Sequence, residues 1–169
     1  PAAWDTAVRS PFDASGIGVK EGDVIHAVND IELKADRDPF AAFEGLASRT
    51  VSLLVSSDGD KAKAKAVIVK CLTGGEETAL RNLEWIEGNR RRVETLSGGK
   101  LGYVYMSNTS GQGQSELVRM FYGQLDKEGF IIDERFNGGG ALADRFLELL
   151  RRPIVYNIHW RQGRDTPQP

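Results

Sequence analysis

The residues that could do chemistry sit together in one stretch, Phe130-Ile131-Ile132-Asp133-Glu134-Arg135-Phe136-Asn137-Gly138-Gly139-Gly140. It opens as a short apolar run that reads as a buried strand and closes in a loop that only small residues can build. From Ala141 to Leu150, apolar residues at Leu142, Phe146, Leu149 and Leu150 follow helical spacing. The order strand, glycine loop, helix points free backbone N–H groups and the positive end of a helix dipole at whatever sits above the loop. Three glycines remove every Cβ, so another backbone can approach closely. No Gly-Lys-Ser/Thr follows and the G-x-G-x-x-G spacing is absent, which excludes the phosphate-loop and dinucleotide motifs. Taken alone, the loop fits either a backbone site for developing negative charge or a flexible connection.

Covalent hydrolysis needs more than such a loop: a nucleophile, a proton acceptor and an oxyanion hole. Only two histidines are present. His26 falls in a β-prone run and is expected at the surface; His159 is expected to be structural. No serine stands in a Gly-x-Ser-x-Gly elbow. One cysteine and two distant histidines cannot give the usual zinc spacing, so no metal or cofactor is expected. The lone Cys71 also excludes an intrachain disulfide.

The elements that would carry the loop follow from periodicity. Leu101 to Met106 is β-prone, and Ser107 to Gln114 is a polar loop. A helix capped near Ser115 is expected, with Val118, Phe121, Tyr122 and Leu125 as its apolar stripe. Phe130 to Ile132 is the next strand. The βαβα order predicts parallel neighbours joined by a right-handed crossover. Ligands in such sheets lie beyond the carboxyl ends of the strands, where Asn137 to Gly140 falls. Pro153 to Trp160 reads as the start of a further strand.

The first part of the chain is β-rich. Lys20-Glu21-Gly22-Asp23 is turn chemistry, Val24 to Val28 a strand, and Asn29-Asp30 a reversal into Ile31 to Leu33. Asp38-Pro39 starts a helix expected to reach about Ser48, with Phe40, Phe43 and Leu46 or Ala47 on one face. Val51 to Val55 is a strand, Asp58-Gly59 a hairpin signal, and Lys61 to Leu72 the returning strand. In that strand the parity of lysines and apolar residues suggests a bulge or an exposed lysine-rich end. Thr73 to Glu76 has capping-box spacing. A helix is expected from there to about Leu96, with Gly88-Asn89 as a candidate break, ending at Ser97-Gly98-Gly99.

Two of these stretches resemble known sequences. Phe12 to Leu33, above all Gly18-Val19-Lys20-Glu21-Gly22-Asp23-Val24-Ile25-His26-Ala27-Val28-Asn29-Asp30, is similar to the middle of a bacterial PDZ domain. Phe130 to Gly140 resembles the oxyanion-loop segment of the tricorn and C-terminal processing family of serine peptidases, and Arg135-Phe136-Asn137-Gly138-Gly139-Gly140 is closest to the tricorn branch. Glu84 to Val93 is similar to the tricorn segment that links PDZ to the last catalytic domain.

The resemblance implies an α+β fold: a PDZ-like β-rich domain over 1–72, a connecting helix over 73–99, and the βαβα start of a crotonase-like αββ-superhelix catalytic domain over 100–169. It implies that the Gly140 amide binds the oxyanion, with Asn137, Gly138 and Gly139 shaping the substrate-facing loop. It also implies that Phe40 and Phe43 line a PDZ peptide groove; from spacing alone plain core is the favoured role. The family's nucleophile lies in a Gly-Ser-Asp-Gly-Asp-like segment beyond the glycine loop, and the tricorn histidine precedes the PDZ domain. Neither is found here, so the chain is expected to be a fragment. The tricorn branch favours basic side chains through an acid after the loop helix. The matching stretch Tyr156-Asn157-Ile158-His159 has none, so that preference is not carried over.

Bulk properties are compatible. The 169 residues allow one large or two small domains, and a net charge of −2 gives no general attraction to nucleic acid. No apolar run approaches a membrane span of about 20 residues. Expected partners are peptides; a homo-oligomer is implied by resemblance only. The tricorn branch favours the cytoplasm, the processing-protease alternative an envelope or periplasmic setting. A rival from another class is a PDZ peptide-binding module without catalysis.

Overall fold

In the computed structural model, which describes residues 9–153, 155–163 and 165–168, Val24–Val28 (β1) pairs antiparallel with Ile31–Glu32 (β2) across a tight turn. Asn29 takes φ +53° there, a conformation asparagine tolerates better than most residues. Its Oδ1 accepts from the Ser52 amide at 3.0 Å and its own amide donates to Ser52 O at 2.7 Å. The turn is thereby tied to Thr50–Ser56 (β3), which pairs antiparallel with β1 and with Lys65–Lys70 (β4). The sheet order is β2-β1-β3-β4. Val51, Leu53 and Val55 point the same way by strand alternation and form its core with Val28, Ala42 and Val69.

Two expectations in this part change. The helix expected from Pro39 to Ser48 is a 3-10 turn, Pro39–Phe43. Asp38 does cap it, accepting from the Phe40 amide at 2.9 Å. The turn stops because Glu44 N bonds to Ala41 O three residues back and Gly45 then turns left-handed. The long returning strand is also shortened. Lys61–Lys63 form another 3-10 turn, capped by Asp60 Oδ1 on the Ala62 amide at 2.9 Å. Lys61 and Lys63 are thus outside the strand, Lys65 is its exposed first residue, and the pairing with β3 runs without a bulge.

Gly74–Leu96 (α1) is one unbroken 23-residue helix. Its capping box forms: Thr73 N donates to Glu76 Oε2 at 2.7 Å, and Glu76 N to Thr73 Oγ1 at 3.2 Å. Gly88 does not break it; an interior glycine costs only about 1 kcal/mol relative to alanine. The far end closes where Gly99 N donates to Glu94 O at 2.8 Å. The chain divides into two compact units within this helix, the first ending at Glu87 and the second starting at Gly88. Among the described residues no helix is long and apolar enough to cross a membrane.

In the second unit, Leu101–Tyr105 (β5) and Gly129–Asp133 (β6) pair in parallel, joined through the helix Gly111–Tyr122 (α2). Ala143–Leu150 (α3) follows the glycine loop. Val104, Met106, Leu117 and Phe146 are the core, with Phe121 stacked on Phe130 at 4.7 Å between ring centroids.

The phase of α2 differs from expectation. The helix starts four residues before Ser115, and Gly113 and Leu117 are buried on its inner face. Val118, Tyr122 and Leu125 lie outside, 38, 45 and 42% exposed. Leu117 and Val118 are neighbours, so apolar spacing alone could not choose between them. α3 starts two residues later than expected, while Phe146 is buried as expected and Leu142 and Leu149 pack beside it. The expected further strand is Tyr156–Ile158 (β7), paired antiparallel with Thr166–Gln168 (β8).

Candidate functional site

The parallel pairing sends β5 and β6 out at the same edge, and the loops that follow them are stitched together by backbone. Gly138 N donates to Ser107 O at 2.9 Å, Thr109 N to Gly139 O at 2.9 Å, and Leu142 N to Thr109 O at 2.8 Å. Asn137 works inside the loop: its Oδ1 accepts from Gly139 N at 2.7 Å and its Nδ2 donates to Met106 O at 3.3 Å. The amides of Gly138 and Gly139 are thus spent on the loop itself. Among the described residues, nothing takes up the Gly140 N–H. This residue sits at φ +144°, open to solvent, in a loop that needs glycine there. A Cβ at 140 would lie 2.5 Å from the Thr109 carbonyl carbon and 2.6 Å from its oxygen.

The facing loop carries its own close approach. Asn108 Oδ1 accepts from Ser110 N at 2.9 Å and Gly113 N at 3.1 Å, holding the start of α2. A Cβ on Gly113 would fall 1.7 Å from Asn108 O, so only glycine allows this packing. Sequence reading missed both residues; the Asn-x-x-x-x-Gly spacing is visible but carries no distinctive signal. Glu116 on α2 accepts from the Ser107 hydroxyl at 2.7 Å.

Beneath the glycine loop lies a polar cluster. Asp133, the last residue of β6, is buried and accepts the Tyr103 hydroxyl at 2.6 Å. Arg135 reaches back to it, Nε to Oδ1 at 2.9 Å and Nη2 to Oδ2 at 2.5 Å. That guanidinium, helped by the tyrosine hydroxyl against the cost of burial, holds the Asp133 carboxyl down to about 2. Burial and the neighbouring carboxylate push Tyr103 up to about 12. The Asp133 carbonyl accepts from Met106 N at 2.9 Å, tying the cluster to the facing strand's exit. Phe136 then takes φ +63°, strained for an aromatic residue, and stays 85% exposed.

The other expected residues belong to other elements of the chain. Phe40 and Phe43 belong to the first unit: Phe40 is 74% exposed, while Phe43 is half-buried against the sheet core. His26, expected at the surface, is half-buried, with Nε2 2.8 Å from Ser56 Oγ. That hydroxyl is itself buried, so the pair cannot reach a substrate carbonyl. His159 pairs through Nδ1 with Asp165 at 2.7 Å beside the β7-β8 hairpin. Among the described residues no cluster of His, Cys, Asp or Glu is placed to hold a metal ion.

Residues 1–74 match the family model described as the tricorn protease PDZ domain. A protein named as a tricorn-like protease C-terminal subunit in Sulfurisphaera tokodaii is 35% identical over 95% of this chain, which covers 18% of that protein. Tricorn protease homolog 1 of Streptomyces coelicolor is 32% identical over 89% of this chain, covering 14% of it. The chain thus spans less than a fifth of the relatives it matches. A crystal structure of the tricorn protease superposes on 98% of this chain with a TM-score of 0.83 at 24% identity, covering 16% of that chain, and so shares its fold. With a match to the tricorn PDZ domain at its start and these relatives along most of its length, the chain belongs to the tricorn protease family.

Proposed function

We propose that this chain is part of a tricorn-like serine peptidase acting on peptides, and that the Gly140 N–H is one donor of its oxyanion hole. A single observation carries this: of three successive glycine amides, two are spent on the loop, and the third is exposed at the carboxyl edge of a parallel sheet. Preorganised backbone donors stabilise the charge that develops on a carbonyl oxygen during acyl transfer. Asn137, Gly138 and Gly139 set the position of that donor. The second unit, in this reading, opens a crotonase-like superhelix domain that continues beyond the present residues. The first unit is a PDZ domain that presents Phe40 to peptide, with Phe43 supporting from the core.

Substituting Gly140 would be an ambiguous test, because any side chain there collides with Thr109. The better test is a structure of the full-length protein with a peptide aldehyde bound at the nucleophile. The hemiacetal oxygen is expected at about 3 Å from Gly140 N, ordinary hydrogen-bond distance. An oxygen held entirely by other donors refutes the assignment. The 169-residue chain alone should not hydrolyse peptides, because its histidines are engaged elsewhere and a donor without a nucleophile cannot attack. Turnover by this chain, blocked by a serine-directed reagent, would count against the proposal.

A further inference from the structure

Ser110 is the N-cap residue of α2 and sits against Gly140. A serine in that position ordinarily spends its hydroxyl on the N2 or N3 amide of the helix. Here it makes no such bond. The N3 amide, Gly113 N, goes instead to Asn108 Oδ1, which also takes Ser110 N. The capping duty has passed two residues back, and the Ser110 hydroxyl is left over. It is exposed, with no hydrogen-bond partner among the described residues. Its place is nonetheless fixed, because Thr109 before it is bonded on both sides, to Gly139 O and from Leu142 N. A side chain at 140 would begin 2.5 Å from Ser110 Oγ. The hydroxyl therefore takes the space that a Gly140 side chain would need, beside the loop glycine whose amide nothing takes up among the described residues.

We infer that Ser110 is a substrate-binding residue, its hydroxyl hydrogen-bonding the backbone of a bound peptide next to the carbonyl that meets Gly140 N–H. This rests on the oxyanion reading of Gly140. A hydroxyl both donates and accepts, so it serves either a peptide N–H or a C=O and imposes no side-chain preference. Its role is in holding substrate, since a group that binds ground and transition states alike acts mainly through KM.

The test uses the full-length protein. Ser110→Ala is expected to lower kcat/KM on peptides about five- to tenfold, the scale of one hydrogen bond, mostly through KM. Its melting temperature should stay unchanged, since the hydroxyl bonds nothing among the described residues. Ser110→Thr should restore kcat/KM, whereas Asn108→Ala should lower the melting temperature. A Ser110→Ala enzyme within twofold of wild type overturns the inference. So does a loss that follows a lowered melting temperature and is not restored by threonine. The aldehyde complex separates the two readings. Oxygen on Gly140 N with Ser110 Oγ touching only solvent overturns this inference alone; oxygen held elsewhere overturns the oxyanion reading and this one with it.

Discussion

Both units carry ion pairs at the surface, but among the described residues only the second buries a carboxylate. In the first, ion pairs stay in water. Lys61 meets Glu32 and Lys63 meets Asp58 with side chains about half exposed or more, and such pairs contribute little. Its order comes from an apolar sheet face and from capped turns. In the second, a carboxylate is taken inside. The Asp133 side chain is 6% exposed and is satisfied by Tyr103 and Arg135. The difference teaches where precision is needed. A sheet held by apolar packing and capped turns can leave its charges solvated. The glycine loop is set beside a satisfied polar cluster and is tied to the facing loop through its backbone.

The largest expected effects test whether the cores are separate. Leu53→Ala should destabilise the first unit by about 2–5 kcal/mol, and Leu117→Ala the second by a similar amount, since both are about 1% exposed. Hydrogen exchange would show each loss confined to amides of its own unit. Uniform loss across both units from either variant would remove the division.

Next in size is the charge contrast itself. Asp133→Asn should cost about 1–3 kcal/mol by leaving buried groups poorly paired. The cost is limited because Arg135, 58% exposed at its side chain, can turn to water. Asp58→Asn should cost at most about 0.5 kcal/mol. Equal shifts in denaturant midpoint for the two variants would erase the contrast.

Acid should act on the same cluster, within the limit set by Asp133→Asn. The Asp133 carboxyl lies near 2 when folded and near 4 when unfolded. The unfolded state therefore takes up its proton first as pH falls. The stabilisation is fully present above about pH 4 and is lost progressively toward pH 2. In Asp133→Asn that component of acid sensitivity should disappear; an unchanged acid profile would show that other carboxyls govern it.

The smallest effect concerns Phe136. Asparagine tolerates left-handed φ better than phenylalanine does, so Phe136→Asn should gain roughly 0.5–1 kcal/mol in the second unit. A loss of stability instead would show that the ring's contacts outweigh its backbone strain.

Local chemistry determined much of this protein. Asp38 before Pro39, Thr73 before Glu76, and Asn29-Asp30 between two apolar runs each act over a few residues, and each forms as its sequence dictates. The parallel β5-α2-β6 order also follows from periodicity, because strand and helix periods differ. The place of the glycine loop was legible from three successive glycines, two of which, Gly139 and Gly140, take positive φ. What tertiary structure decided were choices between near-equal local options. Leu117 rather than Val118 faces inward, since helix phase is set by what the sheet offers to pack against. Pro39 opens a 3-10 turn, not a full helix, because the chain must reverse at Gly45 to enter β3. The sequence lists three glycine amides as equals. Asn137 takes one of them locally, and Ser107 takes another across the fold through a hydrogen bond between loops distant in sequence, which has no periodicity to read.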